Sequence, residues 1–390
     1  MSEPDGTRTT VDRPEPARRA RRWPAVVALV VAVLVVAGVV SAHVDLGDYV
    51  LTPGHAEPVG PLVEVPAARA HHVVGKVLLT DVDVAQVTAL TYLYDELRSD
   101  AQVLPETTVL GPATPPSELV AQGYLEMAQS QDAARAAALT RLGYGVHEHN
   151  AGTLVFSVMA GSPAARILRV GEIVTAVDGT ATPDVCAFSR ALARHGAGAR
   201  VTLEIERSTV TSHAVIEPGP TKVEHATLVR WPASVSRPGP TPSCPGAGRA
   251  HEGFLGVGAE TQEDFRFPFP VSVRTTAIGG PSAGLAMTLG ILDTLSGGHL
   301  TGGRAVAATG TITPAGAVGE VGGIPQKTVA VERAGASVFF VPAAQVATAR
   351  EKATPGLKVL GVRSITGVLR ALHRLGGTVP APRRGEDSPR

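Results

Sequence analysis

A serine placed directly after a proline is the residue best suited to chemistry. Ser282 lies in the stretch GGPSAG (residues 279–284), ahead of a mostly apolar run. Proline suits the first position of a helix, because its missing N–H would have no partner there. Free backbone N–H groups and the positive end of the helix dipole gather in that first turn. We therefore predict that Ser282 is a nucleophile. The backbone of Gly280, Pro281, Ser282 and Ala283 is predicted to hold the oxyanion that forms in the reaction.

A lysine occupies a second helix start of the same kind. Lys327 ends the stretch GGIPQK (residues 322–327), where Pro325 can open a helix that Gly335 closes. A helix N-terminus disfavours an ammonium group, and burial disfavours it further. Both effects favour the neutral amine, which can take the proton of a serine hydroxyl. Ser–Lys pairing is a known variant of the catalytic triad.

Two other interpretations of the serine stretch stay open. A serine beside a helix-opening proline is often only a cap or first-turn residue. The stretch also satisfies Gly-x-Ser-x-Gly, the nucleophile elbow of α/β-hydrolases, a fold that needs an acid and then a histidine downstream. Asp293, His299 and His373 are available, but none follows a convincing strand end.

Several motifs in order resemble one family. The run from Phe254 to about Ala344 resembles the proteolytic domain of Lon-type serine proteases, through GPSAG (280–284), LTGG (300–303), ATGTI (308–312), GAVG (316–319), GGIPQK (322–327) and GA (335–336). The resemblance implies that Ser282 is the nucleophile, Lys327 the base and Thr309 a supporting residue. One departure is visible, since Gly279 stands where ATP-dependent Lon enzymes usually have aspartate.

A second set of motifs resembles a bacterial PDZ domain. These are LVFSV (154–158), GSPAA (161–165), VGEIV (170–174) and VDG (177–179), with a helix expected over 186–195 and a last strand over 200–206. PDZ domains bind extended peptides by adding a strand to a sheet edge. The carboxylate-binding loop of the family is assigned to Leu142, Gly143, Tyr144 and Gly145. The alternative is a PDZ fold that serves only as a spacer or dimer contact.

The N-terminal part predicts a membrane anchor. Residues 1–22 are polar and rich in Pro and Arg, which predicts disorder. Residues 23–42 carry no charge, and as a helix they reach about 30 Å, one hydrocarbon thickness. The arginines precede this span, so the positive-inside bias places the N-terminus in the cytoplasm and the rest outside. The competing interpretation is a signal peptide cleaved after VSA (40–42).

Composition restricts the partners and cofactors. The chain of 390 residues is 44% hydrophobic with a formal net charge of zero, which predicts globular domains and no nucleic-acid partner. No phosphate-binding loop of the GxxxxGK[ST] type occurs, so no ATPase module and no cofactor is expected. The two cysteines fit no metal site, and a disulfide or two free thiols are both open. Lon-like domains often form rings, so a homo-oligomer is possible.

Taken together, the sequence predicts an α/β (α+β) protein: a membrane-anchored serine endopeptidase that acts on protein or peptide substrates. The alternative is a catalytically weak PDZ scaffold at the cell surface. Further local predictions are a helix over 130–142 capped by Ser130, a strand over 271–278 and a helix over 364–375. The predicted segments are a cytoplasmic tail (1–22), a transmembrane helix (23–42), a β-containing segment (43–125), a PDZ domain inserted in or preceding the protease domain (126–210), a linker (211–253), a Lon-like protease domain (254–375) and a disordered tail (376–390).

Overall fold

The protein is described by a computed structural model. The described residues are 23–109, 116–233, 235, 244 and 253–381. The predictions for residues 1–22, for most of 236–252 and for the tail from 382 onward lie outside them.

The secondary structure mixes helices and strands along the whole described chain. The helices are α1 (Trp23–Ser41), α2 (Tyr92–Leu97), α3 (Glu106–Val109), α4 (Pro116–Arg141), α5 (Val185–Leu192), α6 (Gly284–Leu295), α7 (Ile324–Arg333), α8 (Val346–Lys352) and α9 (Ile365–Arg374). The strands are β1 (Asp45–Pro58), β2 (Val63–Glu64), β3 (Lys76–Thr88), β4 (Gln102–Pro105), β5 (His147–Val158), β6 (Ile173–Val177), β7 (Thr180–Ala181), β8 (Arg200–Val210), β9 (Ile216–Thr227), β10 (Val229–Arg230), β11 (Gly253–Phe254), β12 (Val257–Arg266), β13 (Ser272–Val273), β14 (Ala305–Ala308), β15 (Thr311–Ile312), β16 (Val318–Gly319), β17 (Val338–Pro342) and β18 (Lys358–Val362).

One mixed sheet joins the N-terminal and C-terminal parts of the chain. Its order is β18-β17-β14-β3-β1-β4, with β3, β14, β17 and β18 parallel and β1 antiparallel to both of its neighbours. Strands from the predicted 43–125 segment therefore share hydrogen bonds with strands of the predicted 254–375 domain. The exact boundaries stay predictions, but these two segments form one sheet rather than two units.

Helices cover both faces of this sheet. On one face, α4, α6 and α9 bury a core that includes the whole of α6, for example Leu285 and Leu289. On the other face, α7 and α8 cover Leu78 of β3 and Ala307 of β14. Burying each leucine of such a core stabilises the fold by about 1.5–3 kcal/mol. This face assignment places α7, and with it Lys327, over the ends of β3 and β14.

The second sheet has the order β12-β5-β6-β8-β9, with β7 beside β6. Strands β5 to β9 and helix α5 come from the region between α4 and the linker. Strand β12 comes after the linker and pairs with β5 from Val257↔Val158 to Arg266↔His147. Since strands of the first sheet precede and follow it in sequence, this unit is inserted in the other one.

The long helix α4 lies between the two sheets. It begins at Pro116, so Ser130 lies in its middle and the prediction of Ser130 as an N-cap is wrong. The run over 271–278 is also not a full strand, since only Ser272–Val273 pairs, with β2. The C-terminal helix is confirmed, because the Ser364 side chain accepts a hydrogen bond from Gly367 N.

Two further features bear on location. Cys186 of α5 and Cys244 form a disulfide, with Cα atoms 5.4 Å apart. Helix α1 is 19 residues long, has a mean hydropathy of 2.8 and buries none of its residues. It is one helix that is long and apolar enough to cross a membrane among the described residues.

Candidate active site

Ser282 lies in a single 3-10 turn, Pro281–Ala283, directly before α6. The predicted helix start is confirmed, with Pro281 in its first turn. The residue before it, Gly280, has a φ of 85°, a conformation that glycine adopts without strain. The Ser282 carbonyl accepts a hydrogen bond from Gly310 N at 2.9 Å, which holds the turn against the end of β14. The side chain of Ser282 is half-buried.

Lys327 is buried in the first turn of α7, with 2% of its surface exposed. The helix begins after Gly323, which adopts a left-handed conformation, and carries Pro325 near its start as predicted. Burial lowers the pKa of Lys327 from 10.5 to about 8, while the negative charge of Asp81 opposes this shift. The lysine is therefore set up to be a neutral amine at mildly alkaline pH.

Thr309 connects the serine turn to the lysine. Its hydroxyl donates to the Ser282 carbonyl at 3.2 Å and lies 3.5 Å from Lys327 Nζ, which donates to it. Thr309 follows β14 and is fully buried. The structure thus brings Ser282, Thr309 and Lys327 together from three elements that are far apart in sequence.

The backbone amides near Ser282 are not equally free. Gly280 N donates to Gly123 O of α4 at 2.7 Å, so this predicted oxyanion donor is already occupied. Pro281 has no N–H at all. Of the four predicted residues, Gly280 and Pro281 are therefore not available as donors. An oxyanion role for the amides of Ser282 and Ala283 stays a prediction.

Helix α4 contributes contacts to the serine turn that the sequence did not indicate. Besides the Gly123–Gly280 bond, Ser130 Oγ donates to Pro281 O at 3.0 Å. Glu126 lies between them on the same helix face, with its carboxylate beside Gly280. Burial, and secondarily Glu260, raise the pKa of Glu126. The i, i+3, i+7 spacing of these residues was a signal for a shared helix face, but the sequence does not indicate what this face packs against.

Family models match two parts of the chain. Residues 250–373 match the Lon protease (S16) C-terminal proteolytic domain, and residues 140–217 match a PDZ domain. The chain carries a Lon-type proteolytic domain together with a PDZ domain. We call them the Lon domain and the PDZ domain below. The predicted fold class, a mixed α/β protein with these two domains, is confirmed.

Curated relatives of this chain carry the name Lon protease. The chain is similar to Lon protease of Chloroflexus aggregans (31% identity; 33% of this chain and 16% of the relative). It is also similar to Lon protease 2 of Syntrophobacter fumaroxidans (30%; 36% and 18%) and to Lon protease of Mycolicibacterium smegmatis (33%; 31% and 15%). The chain thus spans less than a fifth of the length of these relatives. A solved PDZ domain of an SdrC-like protein from Listeria monocytogenes is 17% identical, with a TM-score of 0.20 over 28% of this chain and 86% of that one.

The predicted peptide-binding loop does not lie at the free edge of the PDZ sheet. Leu142 and Tyr144 are buried, and Gly143 with a φ of 83° ends α4. Tyr144 packs edge-on against Phe269, in the core shared with α6. The two edge strands of this sheet are β12 and β9, and β12 lies outside the matched PDZ segment and inside the matched Lon segment.

The alternative acid and histidine residues do not gather around Ser282. Asp293 lies at the far end of α6, about 16 Å along the helix axis from Ser282, and accepts a hydrogen bond from Leu300 N at 2.9 Å. His299 and His373 are exposed. The arrangement of an α/β-hydrolase triad is therefore absent from the described residues around the serine.

Proposed function

We propose that this chain is a serine endopeptidase of the Lon type that cleaves protein substrates with a Ser282–Lys327 dyad. The observation that carries the proposal is Lys327, a buried lysine whose amine lies 3.5 Å from Thr309 Oγ1 beside the Ser282 turn. Burying a lysine costs stability, so a buried lysine with a lowered pKa is a candidate functional residue.

The proposed reaction follows from these positions. Lys327 Nζ takes the proton of the Ser282 hydroxyl while Oγ bonds to the carbonyl carbon of the scissile peptide. The amides of Ser282 and Ala283 stabilise the oxyanion. Lys327 then gives the proton to the leaving amine as the C–N bond breaks, and water hydrolyses the acyl-enzyme in the same way. Thr309 keeps the amine beside the serine turn.

The PDZ domain is proposed to recruit substrates at the free edge of β12. The loop before β12 is fixed by two bonds, Ala164 N to Leu255 O and Met159 N to Gly256 O, both at 2.9 Å. Across a trans peptide the C=O and the following N–H point in opposite directions. The N–H groups of Gly256 and Val257 therefore point away from these two hydrogen bonds. They can donate hydrogen bonds to the carboxylate at the end of a peptide. This loop replaces residues 142–145 in the proposal.

The remaining part of the proposal concerns location. An uncharged α1 preceded by arginines supports a single-pass anchor with the Lon and PDZ domains outside the cytoplasm. The Cys186–Cys244 disulfide supports an oxidising compartment. A protease added to intact cells is expected to degrade the region after residue 43 and to spare a tag on Met1. Protection of the C-terminal region would reverse the orientation, and a soluble form starting at His43 would indicate a cleaved signal peptide.

The catalytic proposal is tested by cleavage of casein without ATP. Ser282→Ala, Lys327→Ala and Lys327→Arg are expected to lose activity to a similar extent, because a guanidinium stays protonated and cannot act as a base. Thr309→Ala is expected to be milder. His299→Ala and His373→Ala serve as controls that remove the two histidines of the alternative hydrolase triad. Retained activity in Lys327→Arg would refute the dyad, and loss in a folded histidine variant would favour the hydrolase mechanism.

The PDZ proposal is tested in the full chain with Ser282→Ala to prevent cleavage. Hydrophobic C-terminal peptides are expected to bind with roughly micromolar Kd. Their amidated forms, which lack the carboxylate, are expected to bind more weakly. Binding that ignores amidation would contradict the loop at Gly256, and no binding across a broad library would favour the spacer role. Peptide binding without any Ser282-dependent cleavage would instead support a scaffold.

A further inference from the structure

A buried threonine of β3 has a hydroxyl group without a partner. Thr80 is 1% exposed, and its Oγ1 makes no hydrogen bond among the described residues. A buried hydroxyl without a partner costs about 1–3 kcal/mol. Other buried threonines of the Lon domain avoid this cost, for example Thr294, whose hydroxyl donates to Gly290 O at 2.9 Å. The unsatisfied hydroxyl of Thr80 therefore calls for an explanation.

The strand register places Thr80 beside Thr309. Strands β3 and β14 are parallel, and their last paired residues are Leu78 and Ala307. Extended by two residues, to the residue that follows β14, the same register places Thr80 next to Thr309, at the roughly 4.8 Å spacing of neighbouring strands. Side chains of such neighbours point to the same face of the sheet.

That face is the one covered by α7. Side chains alternate between the two faces, and Leu78 and Ala307 belong to the core under α7 and α8. Gly323, at the start of α7, lies against Val82, since a Cβ there would come within 2.6 Å of the Val82 side chain. Lys327 follows one helical turn later, about 5.4 Å along the axis. Thr80 precedes Val82 by two residues, about 6.6 Å along the strand. Helix α7 leads from β14 back to the parallel strand β17, so it runs opposite to β3. Lys327 and Thr80 therefore lie at about the same height along the strand.

Resting on the proposed Ser–Lys function, we infer that Thr80 is a positioning residue of the dyad, whose hydroxyl accepts a hydrogen bond from Lys327 once the lysine has taken the serine proton. An ammonium group has three N–H donors and no acceptor. Thr309 accepts one, Thr80 accepts the second, and the third remains for the leaving nitrogen of the peptide. In the form that is ready to react, Lys327 is a neutral amine with two N–H donors, so Thr80 can lack a partner before the serine proton is transferred.

The inference has a defined effect on protonation. Thr80 stabilises the charged form of Lys327, so its removal lowers the pKa of the lysine further. Asp81, next to Thr80 on β3, is the charged group that acts on Lys327 in the same direction. The acid limb of the pH–kcat profile, where Lys327 loses its proton, is then expected to move to lower pH in a Thr80→Val variant. A residue with only a packing role leaves this limb in place.

The experiment compares Thr80→Val, which keeps the shape, with Thr80→Ser, which restores the hydroxyl. Thr80→Val is expected to lower kcat roughly 10- to 100-fold, the effect of one hydrogen bond to a charged group. KM is expected to stay within about twofold, since Thr80 lies beneath the dyad and not on the substrate. Thr80→Ser is expected to recover most of the rate. Thr294→Val is the control, because it removes a buried hydroxyl at the other end of α6.

A second measurement makes the inference independent of turnover. The pKa of Lys327 is followed by NMR of 13C-labelled lysine in the full chain carrying Ser282→Ala, with and without Thr80→Val. A lower pKa in the double variant supports the inference. An unchanged pKa, an unmoved acid limb, or a Thr294→Val loss equal to that of Thr80→Val would overturn it. If Ser282→Ala loses activity but Thr80→Val is fully active, the role of Thr80 is rejected and the proposed function stands. If the wild-type protein shows no cleavage that depends on Ser282, the proposed function itself is rejected.

Discussion

Replacing the buried lysine by methionine is expected to stabilise the protein while it abolishes activity. Methionine has a similar length and no branching, so it fills the space of Lys327 without overpacking. It removes the charge that the wild-type protein holds in a dry site at neutral pH. The trade of stability for function is expected because a lysine loses its proton near working pH only if its pKa is lowered, here by burial.

The size of the effect follows from the pKa of Lys327, which falls from 10.5 in the unfolded chain to about 8 in the folded protein. That difference corresponds to about 3 kcal/mol. Below pH 8 the lysine is protonated in both states, so the whole penalty weakens the folded protein. Between pH 8 and 10.5 the unfolded state binds the extra proton, and stability rises with pH until the penalty disappears. The gain in Lys327→Met is thus greatest below pH 8 and vanishes near pH 10.5.

The assay is urea unfolding of the full chain in detergent at pH 7 and at pH 10, followed by circular dichroism and tryptophan fluorescence. We expect the unfolding free energy of Lys327→Met to exceed that of wild type by up to about 3 kcal/mol at pH 7, and the excess to shrink at pH 10. Lys76→Met, at an exposed site on β3, is the control and should show no such dependence on pH. A variant that is less stable at pH 7, or a gain that is the same at both pH values, would refute the reasoning.

Three other predictions concern contacts outside the dyad. Ser130→Ala removes the hydrogen bond to Pro281 O and should lower kcat several-fold in casein cleavage. The control Gln122→Ala removes a hydrogen bond from α4 to the PDZ sheet and should leave kcat unchanged. Equal effects of the two variants would argue against support of the serine turn by Ser130. The Cys186–Cys244 disulfide joins residues 58 apart in sequence, so its reduction should destabilise the PDZ domain by up to about 4 kcal/mol and lower the urea midpoint of unfolding. An unchanged midpoint would contradict this. Ser364→Ala should cost about 1 kcal/mol through loss of the α9 cap, with a small fall in Tm and unchanged kcat.

Much of the candidate active site could be predicted from the sequence, because the residue patterns that indicate it are local. The two helix starts depend on a proline and a neighbouring glycine, and both occur where they were predicted, before α6 and α7. The cap at Ser364 and the uncharged run of α1 are equally local. A signal confined to one turn or one span needs no knowledge of distant residues, so the sequence by itself determined these elements and the residues they carry.

Other features of the PDZ sheet and of the candidate active site depend on which distant segments pair. Only the tertiary structure decided that pairing. One edge strand of the PDZ sheet is β12, which is encoded after the linker, so no pattern near residues 142–145 could indicate it. Gly280 N is taken by Gly123 O, 157 residues earlier in the sequence. Leu78 of β3 lies opposite Ala307 of β14 because these two distant strands pair in parallel. Hydrogen bonds between distant segments follow from how sheets and helices pack, and no pattern within a short stretch of sequence specifies that packing.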